Sequence, residues 1–276
     1  MVKIVTDSTC DVPAHLVKEL DISVVPVYTV FGDKSYRDKV DIDDDEFYYK
    51  LMHDSIHPTT SIPTPKDFAD VYNKLAEETD EIISIHLTSK ESGTYNSALL
   101  GKELVTKKCR VEVLDSLSVS LGLGLIVMYA AREAKTGKKL EQVAELVRQA
   151  VPRVHLLILV DTLKYVIRGG RLSKAHGIIG AVVKVKPMLT FKEGDLSLVG
   201  IARTKAKAVE RLYEFAKSFS KVKEIAVAHT TTPDEAKVLA DRVKAVFPNV
   251  PLYITRVGSS LGTHAGPGAM GVAVME

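Results

Sequence analysis

The run EIISIHLTSKESGTYNSALLGKELV, Glu81–Val105, holds a strand, a loop and a helix in that order. Glu81–Leu87 is short, rich in Ile and bounded by turn residues, which predicts a buried strand. Tyr95–Val105 carries apolar residues at three-to-four spacing behind Ser and Thr, which predicts a helix. The loop between them, Thr88-Ser89-Lys90-Glu91-Ser92-Gly93-Thr94, therefore lies at a strand's carboxyl end and a helix's start. The same alternation extends outward on both sides. Val2–Val5, Ser23–Val30 and Val111–Leu114 read as further buried strands, and Pro13–Leu20, Asp44–His53 and Pro65–Glu78 as helices with Pro, Asp or Ser near their starts. Such βαβα order implies a mainly parallel sheet flanked by helices, with functional loops at the carboxyl ends of the strands.

The second half follows a different pattern. Val119–Thr136 and Leu140–Ala150 are helical, separated by Gly137-Lys138-Lys139. His155–Val160 then reads as a strand and Leu163–Arg168 as a short helix ended by Gly169-Gly170. Lys186–Phe191 and Leu196–Ile201 form a hairpin around Lys192-Glu193-Gly194-Asp195. Helices Thr204–Ser218 and Pro233–Phe247 alternate with strands Ile225–Ala228, Leu252–Thr255 and Gly271–Met275. The expectation is an α/β protein of two domains: residues 1–150 built on the parallel sheet, and residues 151–276 as an α+β unit with a mixed or antiparallel sheet. A chain of 276 residues exceeds what one core usually supports.

Composition excludes several classes of function. Lys+Arg number 37 and Asp+Glu 35, so the net charge is 37 − 35 = +2, and no basic run is interleaved with aromatics; nucleic acid is not an expected partner. The two cysteines, Cys10 and Cys109, lack metal-ligand or CxxC spacing and are expected to be buried, reduced thiols. The N-terminus runs straight into a strand without a secretory pattern, and the longest apolar stretch, Leu121–Ala131, is roughly half of what spans a bilayer. A cytoplasmic protein with no integral membrane segment is expected.

Three loops could carry chemistry. In Thr59-Thr60-Ser61-Ile62-Pro63-Thr64-Pro65 the prolines hold the chain extended and four hydroxyls are displayed before a helix, as N-caps or as donors to an anion. In Ser92-Gly93-Thr94 the unpaired N–H groups and dipole of a helix start suit a carboxylate or phosphate, and Gly93 allows close approach. A nucleotide P-loop is absent. Gly258-Ser259-Ser260-Leu261-Gly262 matches the G-x-S-x-G nucleophile elbow, so a serine hydrolase acting on acyl esters through Ser260 and His264 is the enzymatic alternative. Gly266-Pro267-Gly268 forbids the long helix an elbow needs, however, and the one downstream acid is the terminal Glu276. His264, set in a loop among glycines, has room to reach a ligand.

The remaining polar clusters have simpler explanations. Asp41–Glu46 lacks the Gly and Glu of a calcium loop and reads as helix capping. Asp7-Ser8-Thr9 is a strand-end loop open to capping or binding. The clusters Arg168–Lys174 and Arg203-Thr204-Lys205 are solvated faces or landing surfaces for an acidic partner.

In order along the chain, Ile4-Val5-Thr6-Asp7-Ser8-Thr9, Thr60-Ser61-x-Pro63-Thr64, Ser92-Gly93-Thr94-Tyr95-x-Ser97-Ala98, Gly170-Arg171, Lys186-Pro187 and Arg203-Thr204 resemble the DegV family, whose bacterial members include fatty-acid-binding FakB proteins. The resemblance spans essentially the whole chain. It implies a two-domain α/β carrier, not an enzyme, that encloses one long-chain fatty acid such as palmitate in a tunnel between its domains. Carried onto matching positions, it implies that Thr60, Ser61, Ser92, Gly93, Thr94 and His264 hold the carboxylate, with Arg171 and Arg203 as head-group or partner contacts. It implies no cofactor beyond the bound acid, no metal and no catalytic residue. The partner it implies is a separate fatty-acid kinase that makes an acyl phosphate for phospholipid synthesis. Burying a C16 tail contributes about 12 kcal/mol gross at roughly 0.8 kcal/mol per methylene, before ordering costs. A desolvated carboxylate needs converging donors, which the hydroxyls, a helix start and a His would supply.

Overall fold

The computed structural model describes residues 1–171 and 185–276. Along the chain the described elements are β1 (Lys3–Asp7), α1 (Ala14–Glu19), β2 (Ile22–Val25), β3 (Tyr28–Phe31), β4 (Lys34–Arg37), α2 (Asp44–His53), β5 (Thr59–Ser61), α3 (Pro65–Leu75), β6 (Glu81–His86), α4 (Thr94–Glu103), β7 (Arg110–Asp115), α5 (Ser120–Lys135) and α6 (Leu140–Ala150). They continue as β8 (Val154–Leu159), α7 (Lys164–Arg168), β9 (Lys186–Lys192), β10 (Asp195–Ala202), α8 (Lys205–Lys217), β11 (Glu224–His229), α9 (Pro233–Val246), β12 (Leu252–Arg256), α10 (Ser259–Ala265) and β13 (Met270–Met275).

The strands form three sheets. β2-β1-β6-β7 is parallel throughout, as the βαβα order requires. β10-β9-β8-β13-β11-β12 is mixed: β11 and β12 run parallel and the other neighbours antiparallel. A small antiparallel sheet, β4-β3-β5, stands apart from both. The strands of the parallel and small sheets all precede residue 150, and those of the mixed sheet all follow it. This α/β architecture is the one expected from the sequence.

Helix α5 explains how the two large sheets meet. Its residues are apolar almost all round, and Leu121, Leu123, Leu125, Ile126, Val127 and Met128 are all buried, as a helix without a polar face must be. It touches β1 and β6 on one side and β8, β11 and β13 on the other. A single apolar core thus runs from Ile4 and Ile83 through α5 to Ala226, Ala273 and Met275.

Three sequence expectations need correction. Ser23–Val30 is not one strand. Pro26 has no N–H for the ladder, Val27 N donates to Ser8 Oγ at 3.1 Å, and the chain leaves the parallel sheet after Val25 to start β3 in the small sheet. Cys10 is buried, but Cys109 is only half-buried, beside the exposed Arg110 at the start of β7. Finally, His264 lies in the last turn of α10, not in a loop; the helix stops at Gly266, whose φ of +73° ends it before Pro267.

Candidate ligand-binding cavity

The site is assembled around the short helix α10, which is anchored at its start by buried carboxylates. Asp38 Oδ1 accepts from Ser259 N and Ser259 Oγ, both at 2.8 Å, and Asp11 Oδ1 accepts from Gly258 N at 2.9 Å. Asp11 also accepts from Ser120 Oγ at 2.7 Å and from Lys39 Nζ at 2.9 Å. Burial alone would lower the Lys39 pKa, but Asp11 and Asp38 outweigh it and hold the ammonium charged; burial pushes Asp38 upward. Tyr48 OH donates to Val257 O at 2.9 Å just ahead of the helix.

At its other end α10 presents His264. The pairing of β3 with β5 sets Thr29 opposite Thr60, and Thr60 Oγ1 lies 3.0 Å from His264 Nε2. The ring rests against Gly169, where a Cβ would fall 2.0 Å from Nδ1. Nδ1 itself is buried and has no hydrogen-bond partner among the described residues. Burial, then the nearby Arg171 charge and His57, push the His264 pKa down to about 4, so the imidazole is neutral at pH 7.

The second hydroxyl loop comes off β6. Ser92 Oγ and Thr94 Oγ1 are 2.9 Å apart, and Thr94 N donates to Ser92 Oγ at 3.2 Å, so the pair forms a small polar cradle at the start of α4. Ser97 Oγ donates to Pro63 O, fastening the proline-rich stretch to α4. A Cβ on Gly93 would lie 3.1 Å from Ile62 Cδ1, which measures how closely the Thr60 and Ser92 loops approach.

These parts close around a cavity of about 1100 Å³, its open mouth included. Thr60, Ser61, Ser92, Thr94, Arg171, Ser260 and His264 line it together with a long apolar wall that includes Leu87, Val119, Leu156, Ile158, Leu189, Phe191 and Leu196. Such a space suits a ligand with a small polar head and a long apolar body. Of the residues singled out from the sequence, Thr60, Ser61, Ser92, Thr94, Arg171 and His264 come together here; Gly93 brings the two loops together without itself lining the cavity. Arg203 does not join them. It is exposed in a separate surface groove with Lys207, Glu210 and Arg211. In the basic run 168–174, Leu172, Ser173 and Lys174 lie outside the described residues.

The hydrolase geometry is not supported. Ser260 lines the cavity one helical turn from His264, but His264 Nε2 is engaged by Thr60 and Nδ1 meets no carboxylate among the described residues, so none of these orients the ring as a base. A linear Ser–His–Asp chain does exist elsewhere: His86 Nε2 lies 2.7 Å from Ser84 Oγ and His86 Nδ1 2.9 Å from Asp7 Oδ2, with Tyr72 OH 2.7 Å from Ser84. All four side chains are 0% exposed and line no described cavity, so this is a structural network under the parallel sheet. Its sequence signal is Ser84 and His86 two apart in an otherwise apolar strand. Asp7 also caps Thr9 N at 3.1 Å, and Thr9 lines the cavity. The acidic run caps α2 through Asp43, which accepts from Glu46 N at 2.8 Å.

Sequence reasoning missed Gly169, noticed only as a helix terminator, and the cavity-lining Ser120; Thr9 and Glu91 lay in loops it had marked without being singled out. Among the described residues, no helix is long and apolar enough to cross a membrane, and no cluster of His, Cys, Asp or Glu is suited to a metal ion.

A family model described as "Uncharacterised protein, DegV family" matches residues 1–276. A DegV domain-containing protein of Caldanaerobacter subterraneus subsp. tengcongensis is 37% identical, the match covering 100% of this chain and 99% of that protein. The crystal structure of DegV from Bacillus subtilis, described as a fatty acid binding protein, superposes with a TM-score of 0.91 at 32% identity over 100% of this chain and 99% of that one. A stearic acid-binding protein from Eubacterium ventriosum gives a TM-score of 0.92 at 27% identity over 100% and 98% of the two chains.

Proposed function

The chain belongs to the DegV family, and on that premise we propose that it is a carrier that binds one long-chain fatty acid in the cavity described above. The observation that carries this reading is the cavity's division between a long apolar wall and a polar set that includes Thr60, Ser61, Ser92, Thr94, Arg171 and the neutral His264. A fatty acid is the simplest molecule with that division. The fatty acids bound by the Bacillus subtilis and Eubacterium ventriosum relatives support the same ligand class.

In this reading the hydroxyls of Thr60 and Ser61 and of Ser92 and Thr94 donate to the carboxylate, and the neutral His264 ring assists through Nε2, which holds the Thr60 hydroxyl in place. Arg171 adds a cation near the head group, so the carboxylate is not held by neutral donors alone. The apolar wall excludes water from the tail. No covalent step is assigned to the protein: its part is to hold the acid and expose the head group to a separate fatty-acid kinase, which forms the acyl phosphate for phospholipid synthesis in the cytoplasm. That role requires no cofactor of its own.

Titration of delipidated protein with palmitate tests the assignment. Thr60→Ala and Ser92→Ala each remove one neutral donor from the carboxylate and are expected to weaken binding by about tenfold while leaving the melting temperature of the empty protein within a few degrees of wild type. Unchanged affinity in both variants would remove the head group from these residues.

A further inference from the structure

The mixed sheet that walls the cavity contains a break in its side-chain cover. Across four neighbouring strands, Leu189, Ile158, Gly271 and Ala228 are register partners in one row, and all four line the cavity. Leu189 and Ile158 fill their half of the row with branched side chains; Gly271 and Ala228 leave theirs nearly bare.

Neither packing against the described residues nor backbone conformation requires glycine at position 271. Its φ is not in the left-handed region, and a Cβ there would meet Leu157 O at 3.5 Å, Ile158 Cγ1 at 3.8 Å and Leu156 Cδ1 at 3.9 Å, all ordinary contacts. Other glycines differ: a Cβ on Gly122 or Gly124 would fall 2.1 or 2.5 Å from a neighbouring atom. Glycine inside a central strand weakens it, and where no neighbour excludes a side chain the remaining explanation is close approach by a ligand. Ala228, its partner on β11, widens the same spot by one strand spacing, about 4.8 Å.

We propose that Gly271 and Ala228 are the residues that select the shape of the acyl tail: together they form a recess that takes up the bend of a cis-unsaturated chain. The proposal rests on the fatty-acid reading above. An all-trans chain has uniform width and passes the recess without filling it, forgoing contacts there. A cis double bond displaces the chain axis sideways and places carbon atoms where the missing side chains would be.

The test is competitive displacement of a fluorescent fatty acid from delipidated protein by stearate and by oleate, which have the same carbon number. Wild type is expected to favour oleate. Gly271→Val, which fills the recess, is expected to weaken oleate by about tenfold or more and stearate by less than about threefold. Gly271→Ala, whose added methyl has room, is expected to shift the ratio in the same direction by a smaller factor, and it carries the test if the valine variant does not fold. Preference for stearate by wild type, or an oleate-to-stearate ratio unchanged in the folded variants, overturns the proposal. If wild type binds neither acid, the failure belongs to the fatty-acid reading itself.

Discussion

At the scale of single residues, the site depends on how His264 is held. Thr60 takes one ring nitrogen, and Gly169 presses against the other so closely that no side chain fits between them. Gly169→Ala is expected to displace the ring and reduce fatty-acid affinity by about tenfold, while Gly137→Ala, at a turn where an added Cβ meets no described atom within 4 Å beyond its chain neighbours, leaves affinity unchanged. Equal affinities for the two variants, by titration, would show that the ring position is immaterial. The depressed His264 pKa carries a second expectation. Above its ordinary value of 6.5 the ring is neutral in folded and unfolded chains alike; between 6.5 and about 4 the unfolded chain takes up a proton that the folded one refuses. Stability therefore falls as pH falls through that window, by at most about 3 kcal/mol. The melting temperature of His264→Gln should decline less than wild type between those pH values, and parallel declines would contradict the assignment. The hydroxyl loops were legible in the sequence, because a strand end followed by a helix start exposes N–H groups wherever it occurs. The state of His264 was not, since it is set by Gly169, Arg171 and Thr60, all distant along the chain.

At the scale of elements, α10 is too short to hold itself in place and relies on the carboxylates beneath its start. Asp11 serves three donors at once, Lys39 Nζ, Gly258 N and Ser120 Oγ, and is 1% exposed. Asp11→Ala leaves the Lys39 ammonium and two further donors without that acceptor, and is expected to destabilise the protein by about 2–3 kcal/mol in urea unfolding. A loss below about 1 kcal/mol would mean that the network is solvated. Long periodic elements were readable: α2 and α6 run Asp44–His53 and Leu140–Ala150 as their spacing predicts. The small sheet was not. β5 has three residues and β4 four, too few to display a period, and the change of sheet at Pro26 is decided by where Val27 N–H finds its acceptor.

At the scale of the whole molecule, the cavity exists because the two large sheets share α5 and its core, so loops from the parallel half and strands from the mixed half face one space. The alternation of strands and helices made both sheet types predictable, and the ordered motifs pointed to the family. The convergence of Thr60, Ser92, Arg171 and His264 on one cavity with a long apolar wall appears in no local pattern, because it depends on how the halves are packed. A ligand spanning both halves binds only the folded chain and must raise its stability, by about 2.7 kcal/mol at a hundredfold excess over Kd. The most direct measurement is native mass spectrometry of the protein as purified from a bacterial host, with organic extraction and identification of whatever is released. One long-chain fatty acid per chain is the expected result. An empty protein that also refuses added palmitate and oleate would contradict it.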